Sequence, residues 1–445
     1  MHDTAHVQFR PHAPPRPGRR ARCRPSETSE PRQQHRDAAQ YDVGPSQPIT
    51  QGPQPGADRF GRPCQSSSRR PAVPGRREPV GDQVECALVS VAVVVENPGD
   101  ERTSSTAAME PTRMTTGREP MTAVVQDEYG SAPEDVLKVE DVDRPVIAED
   151  EVLVRVHAAS VDRGTWHVMA GLPYPIRLAG FGLRRPKYRN PGRNLAGTVE
   201  AVGTSVTAFA PGDAVFGIGE ASFAEYARAR PDKLAPKPAK LSLDQAAAVP
   251  VSALAALQAV RDHGRVQTGQ QVLIVGASGG VGTFAVQIAK AFGAEVTGVC
   301  STAKLDAVRA LGADHLVDYT TDDFAAGERR YDVILDIGGN RRLSHLRRAL
   351  TRRGRLVIVG GEADGRWLGG VDRQVRALLL SPFVSQKLGT FVASENAKDL
   401  MALRELIDSG QLAPVIDRSY PLSEVAAAIR YLLDGRARGK LVITV

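Results

Sequence analysis

The sequence predicts an α/β protein in which a mainly antiparallel β domain is followed by a doubly wound parallel sheet, behind a disordered amino-terminal tail. Three features point there: a break in composition near residue 120, short strand patterns separated by Pro and Gly up to about Lys240, and alternating helix and strand patterns from about Ala246. Residues 1–120 hold 17 of the 31 prolines and 17 arginines but no lysine, the first lysine being Lys138. Such a segment buries too little apolar surface to offset the entropy of ordering it, so it is read as a disordered tail or as sequence upstream of a true start at Met109, Met114 or Met121. Pro11, Pro14, Pro15 and Pro17 exclude an early amphipathic helix, and 14 acids are too many for an organelle transit peptide. The tail is about three charges positive, and the rest of the chain holds 40 basic and 37 acidic residues, which argues against a nucleic-acid binder. The apolar run 86–95 is far shorter than the roughly 20 residues a membrane span requires, so no membrane segment is expected. Only Cys300 of the four cysteines lies beyond the tail; this excludes a disulfide framework or cysteine zinc site there and suits a cytoplasmic setting.

The β domain is expected over 121–245, with strands at 151–157, 197–203 and 213–217. A helix over 246–263 opens the alternating region. It continues as strand 271–275, helix 281–292, strand 295–300, helix 303–311, strands 315–318 and 332–336, helix 341–350 and strand 355–360. The parallel-sheet domain is placed at 246–393. Residues 394–445, with helices at 396–409 and 422–433 and a strand at 440–445, are assigned back to the first domain.

The most informative stretch is Val272-Leu-Ile-Val-Gly276-Ala277-Ser278-Gly279-Gly280-Val281-Gly282, an apolar strand running through glycines into an amphipathic helix. In that context the glycines allow a tight turn, a close approach of backbone to pyrophosphate and close packing of helix on sheet, while the helix start offers unpaired N–H groups. Gly276 to Gly282 are therefore assigned to a dinucleotide site. The same residues also spell a nucleophile elbow around Ser278, with Asp336 and His345 as the remaining triad partners. That reading does not require Gly282, and Ser278 is better taken as a phosphate donor or helix N-cap.

Further motifs are Ala158-Ala-Ser-Val-Asp162, Pro191-Gly-Arg193-Asn194-Leu-Ala-Gly197, Pro211-Gly-Asp213-Ala-Val-Phe-Gly217 and the closing Ala437-Arg-Gly-Lys440-Leu-Val-Ile. With the glycine loop, these make residues 121–445 resemble the medium-chain dehydrogenase/reductase superfamily, in its zinc-independent quinone oxidoreductase (zeta-crystallin-like) branch. The resemblance implies a Rossmann nucleotide-binding domain inserted in a GroES-like catalytic domain, an active site in the cleft between them, and a homodimer paired through an edge strand near 384–393. Where zinc relatives carry Cys and a His-Glu pair, this chain has Asp162 and Arg193-Asn194, so no metal is expected. Zinc-independent relatives usually carry Asn and Asp at the places of Asp162 and Asn194. The pair is thus exchanged here, and the two side chains are expected to be neighbours able to share a hydrogen bond. Ala255 stands where many relatives have Thr.

The end of the second strand reads Val299-Cys300-Ser301-Thr-Ala-Lys304, with no acid to take a ribose hydroxyl. Ser301 and Lys304 suit a 2′-phosphate instead, and the resemblance adds Tyr319 after the third strand, so NADPH is preferred over NADH. Gly338 and Gly360 complete the expected cofactor set. Without a metal Lewis acid, a quinone or an α,β-unsaturated carbonyl is the expected hydride acceptor. Asp162 and Asn194, with Tyr174 or His167 on the loop after Asp162 as proton donor, are the candidate catalytic residues; Trp166 is a wall, and Arg193 either steers an acidic substrate or forms a salt bridge. Competing readings are an NADP-dependent alcohol or aldehyde dehydrogenase-like enzyme, a serine hydrolase using Ser278, and a catalytically silent NADPH-binding scaffold.

Overall fold

The computed structural model describes residues 119–360, 367 and 369–445. The expectations for the tail, including starts at Met109 and Met114, lie outside the described residues.

Strands β1 (Pro120–Val125) and β2 (Lys138–Asp143) pair as an antiparallel ribbon. The β domain proper is built from β3 (Val152–Val161), β4 (Asn194–Val202), β5 (Ala214–Ile218), β6 (Tyr226–Ala229) and β7 (Leu234–Pro236). In β3, Val152, Val154 and Val156 face a core with Leu195, Val199 and Val215, while Arg155 and His157 face outward, the period-two pattern of a half-buried strand.

The second sheet contains β8 (Gln271–Val275), β9 (Glu295–Cys300), β10 (His315–Asp318), β11 (Tyr331–Asp336), β12 (Leu350–Ile358) and β13 (Lys387–Thr390). These are all parallel, in the order β10-β9-β8-β11-β12-β13. Central strands covered on both faces need unbroken apolar runs; accordingly Val272, Leu273, Ile274 and Val275 are all buried. In this order the direction of winding reverses between β8 and β11, where a crevice forms at the strand ends. The chain then returns to the β domain through β14 (Ile416–Pro421) and β15 (Lys440–Thr444), the latter antiparallel to β3 from Leu441↔Val161 to Thr444↔Ala158.

Helices among the described residues are α1 (Pro133–Val136), α2 (Arg163–Ala170), α3 (Leu243–Ala247), α4 (Pro250–Gln258), α5 (Gly280–Ala291), α6 (Leu305–Ala310), α7 (Leu343–Ala349), α8 (Val371–Leu380), α9 (Ala397–Asp408) and α10 (Val425–Leu433). Two expectations are corrected. The single helix expected over 246–263 is broken at Pro250, whose missing N–H cannot continue the ladder; Ser242 and Gln245 form a capping box ahead of α3, and residues 259–264 close as a π turn. The loop expected after Asp162 is instead the helix α2. Asp162 is its N-cap, accepting from Thr165 N at 2.9 Å, and Gly171 ends it in the left-handed region. Helix α8 was not anticipated at all. One continuous core joins the two sheets through α3 and α4: Ala158, Phe216 and Ile218 of the β domain and Val272, Ile274 and Leu335 of the parallel sheet share it with Ala253, Leu254 and Leu257.

Candidate active site at the crevice between the two sheets

The glycine loop leaves β8 with Gly276 at φ +88°, a conformation other residues rarely adopt. Gly276 N and Ala277 N both donate to Val299 O at 3.1 Å, which pins the turn to β9. The following helix α5 approaches so closely that a Cβ on Gly282 would lie 2.1 Å from Gly276 O. The N-cap of α5 is Gly279, with no side-chain hydrogen bond, so the expectation that Ser278 caps the helix is corrected: no side chain competes for the first-turn N–H groups. Gly338 N donates to Val275 O at 3.0 Å, which sets it beside Gly276 at the reversal point, while Gly360, just beyond β12, donates to Asp336 O at 3.3 Å. Val281 lies in the first turn of α5.

The hydrolase reading loses its triad. Asp336 is fully buried and bonded to Arg373, while His345 Nε2 lies 2.6 Å from Asp323 Oδ1, so neither side chain orients the other toward Ser278.

At the end of β9 and β10, the Asp318 carboxylate is turned inward. It accepts from Thr302 Oγ1 and from the Thr320 amide (3.0 Å) and hydroxyl (2.7 Å), bonds that hold it below the usual carboxylate range. Tyr319 is about half exposed, with the Arg341 guanidinium 5.7 Å from its ring. Lys304 Nζ donates to Gly435 O (2.9 Å) and Ala437 O (2.8 Å); burial, and then the nearby Arg438 cation, push its ammonium down. Ser301 N-caps the 3-10 turn 302–304 without a side-chain bond. Arg341 and Arg438 are cations of this corner that sequence reasoning missed, because each comes from a distant loop.

At the other end of the crevice, the hydrogen bond expected between Asp162 and Asn194 is present: Asn194 Nδ2 donates to Asp162 Oδ2 at 2.7 Å. Asn194 is fully buried and its Oδ1 accepts from Val251 N at 2.9 Å, so the start of α4 is tied to the pair. The remaining Asp162 oxygen is occupied by Thr165. The other candidates are more remote. His167 Nδ1 lies 2.8 Å from Leu172 O and its ring meets Trp166 edge-on; Trp166 Nε1 donates to Ser131 O at 3.2 Å. Tyr174 packs edge-on against Trp367 at 5.2 Å, with Arg177 over its face. Arg193 takes the salt-bridge role, 2.6 Å from Glu395. His157 faces away, 3.4 Å from Asp244. A cavity of about 430 Å³ adjoins Arg193, lined also by Val168, Phe181, Tyr188, Ile218 and Lys233.

A residue absent from the sequence-based set stands at the centre. Lys440 is 1 % exposed, and its Nζ donates to Ser252 Oγ at 3.0 Å and Val161 O at 3.2 Å. The available signal was a lysine opening an otherwise apolar terminal strand.

Comparison with known proteins agrees with this architecture. Residues 148–239 match the family described as alcohol dehydrogenase GroES-like domain, and residues 311–443 the one described as zinc-binding dehydrogenase. The mouse mitochondrial NAD(P)H oxidoreductase RTN4IP1 is 34 % identical, over 73 % of this chain and 89 % of its own. The 2-methylene-furan-3-one reductase of Solanum lycopersicum is 33 % identical, over 71 % and 77 %. The solved quinone oxidoreductase of Coxiella burnetii superposes with a TM-score of 0.63 at 29 % identity, covering 74 % of this chain and all of that one. The chain belongs to the medium-chain dehydrogenase/reductase superfamily, on its quinone oxidoreductase-like side, and is an NAD(P)H-dependent oxidoreductase.

Proposed function

We propose that the enzyme reduces quinones or α,β-unsaturated carbonyls with NADPH and without a catalytic zinc. The observation that carries this is the closed seam of Asp162, Asn194 and Lys440. Although residues 311–443 match a family described as zinc-binding dehydrogenase, this donor set does not suit zinc: an amide and one carboxylate already bonded to each other, beside a buried lysine, fall short of three available ligands. When bound, the nicotinamide supplies hydride; the glycine loop and the first turn of α5 would hold its pyrophosphate. An acceptor that spreads its own developing charge needs no Lewis acid, which favours a quinone or enone over a plain ketone.

The preference for NADPH is supported by Lys304, Arg438 and Arg341 gathering near the ends of β9 and β10, where Asp318 is committed to threonines. Lys304→Ala is expected to weaken NADPH by ~1.5–3 kcal/mol, the scale of a hydrogen bond to a charged group, while NADH binding barely changes. Fluorescence titrations with both cofactors measure this, and equal losses would sink the assignment. The reaction itself is tested by following NADPH oxidation against a panel of quinones and enones, together with metal analysis of the purified protein. Stoichiometric zinc, or turnover of simple alcohols and aldehydes alone, would sink the reading.

The same reading places a homodimer contact on the edge strand β13, near exposed Phe383 and Leu379, and the enzyme in the cytoplasm. Burial pushes the Cys300 thiol up to about 11, so it stays protonated at neutral pH.

A further inference from the structure

A lysine is almost never fully buried unless it is paired, and Lys440 is buried where three parts of the fold meet. Its ammonium bonds Ser252 on α4 and the carbonyl of Val161 at the end of β3. Burial pushes its ammonium below the ordinary lysine range, and the carboxylate of Asp162, the residue after Val161, pulls the other way. Its stem lies against the cofactor loop. A Cβ on Gly280 would be 3.1 Å from Lys440 Cδ and 3.4 Å from Ser252 Oγ, and Gly439 bridges to Gly279. One side chain thus touches the helix start that would hold phosphate and reaches the seam that carries the catalytic candidates.

We propose that Lys440 is a positioning residue that acts through Asp162, balancing the carboxylate in the buried seam and holding the glycine loop against the catalytic sheet. A protonated Lys440 offsets the Asp162 carboxylate, so negative charge developing on an acceptor is not opposed by an unbalanced carboxylate in a low-dielectric site. Without it, a partly buried carboxylate is left uncompensated. This rests on the reading that Asp162 and Asn194 stand beside the nicotinamide.

The test is a double-mutant cycle of Lys440→Met and Asp162→Asn, read by Tm, by kcat and by KM for NADPH. Lys440→Met is expected to lower Tm by about 6 °C or more and kcat by at least about tenfold, and adding Asp162→Asn is expected to recover more than half of both losses. KM for NADPH should move by less than about threefold, since Met keeps the stem that packs against Gly280 in the glycine loop. Lys440→Gln, which keeps a donor but no charge, should follow the Met variant. Additive losses in the cycle, or a Gln variant indistinguishable from wild type, would overturn the proposal. If Lys440→Met does not fold, a folded double variant supports the pair and an unfolded one overturns it. Should the wild-type enzyme turn over no quinone or enone, the proposed reaction fails, and the Tm cycle still judges the pair.

Discussion

The Gly282→Ala enzyme is expected to bind NADPH at least about a hundredfold more weakly than wild type, with a lower Tm in the absence of cofactor. A Cβ at this position would lie 2.1 Å from Gly276 O and 2.8 Å from the Ala277 Cα and carbonyl carbon. These are backbone atoms, so no rotamer change relieves the overlap and the first turn of α5 must move off the end of β8. Gly276 is itself held by its bond to Val299 O, which leaves the helix as the part that shifts. A displacement of about 1 Å is enough to misalign the N–H groups that would cradle the pyrophosphate, and losing two hydrogen bonds to a charged group at about 1.5 kcal/mol each is about a hundredfold in Kd. Cofactor-induced stabilisation gives a second readout. Ligand at a hundred times its Kd stabilises the native state by about 2.7 kcal/mol, and the variant should lose nearly all of that shift at the same concentration. A Kd within threefold of wild type would mean that this loop does not hold the phosphates.

Arg373→Met should destabilise the fold by about 3–5 kcal/mol at neutral pH, the cost of stranding a buried carboxylate. Asp336 is fully buried at the end of β11, and Arg373 on α8 pairs with it while donating to the carbonyls of Arg341 (2.9 Å) and Gly360 (3.1 Å). This guanidinium therefore ties α8 to the strand ends that flank the glycine loop. Burial pushes the Asp336 carboxyl above its ordinary value, and Arg373 pulls the other way. A carboxyl whose folded-state value is raised takes up a proton on folding. Its contribution to stability is fully present below the unfolded value and is lost as pH rises through the folded value. Removing Arg373 raises that value further and extends the window upward. The deficit measured by urea unfolding should thus be largest near neutrality and shrink as the pH falls. Arg373→Met with Asp336→Asn should regain much of the loss. A deficit independent of pH, with no recovery in the double variant, would show that the stabilisation comes from the carbonyl bonds instead.

The elements legible in the sequence were those whose signals are local. The apolar run before Gly276, the glycines at 276, 279, 280 and 282, and the helix after them specify strand, turn and helix within some 20 residues, and the structure has them at Gln271–Val275 and Gly280–Ala291. The same holds for Glu295–Cys300 and for the strand that opens at Lys440. Where local signals compete, the reading was weaker. Gly164 in the first turn hid the helix that Asp162 caps, and the alanine-rich run around residue 250 masked the break at Pro250. Helix α8 presents an apolar stripe too short to stand out from the loops around it.

Residue types and their spacing along the chain determined the fold class, the glycine loop and the exchange at Asp162 and Asn194, because each depends on side chains or backbone freedom within a few residues or on one recognisable pattern. Tertiary structure alone decided which partners the buried charges meet. Lys440 lies 279 residues from Val161 and 188 from Ser252, and Arg373 lies 37 from Asp336, yet each pair is in hydrogen-bonding contact. Whether a charged side chain is solvated or compensates a buried partner depends on which distant segments the two sheets bring together and exclude from water, and no local pattern encodes that.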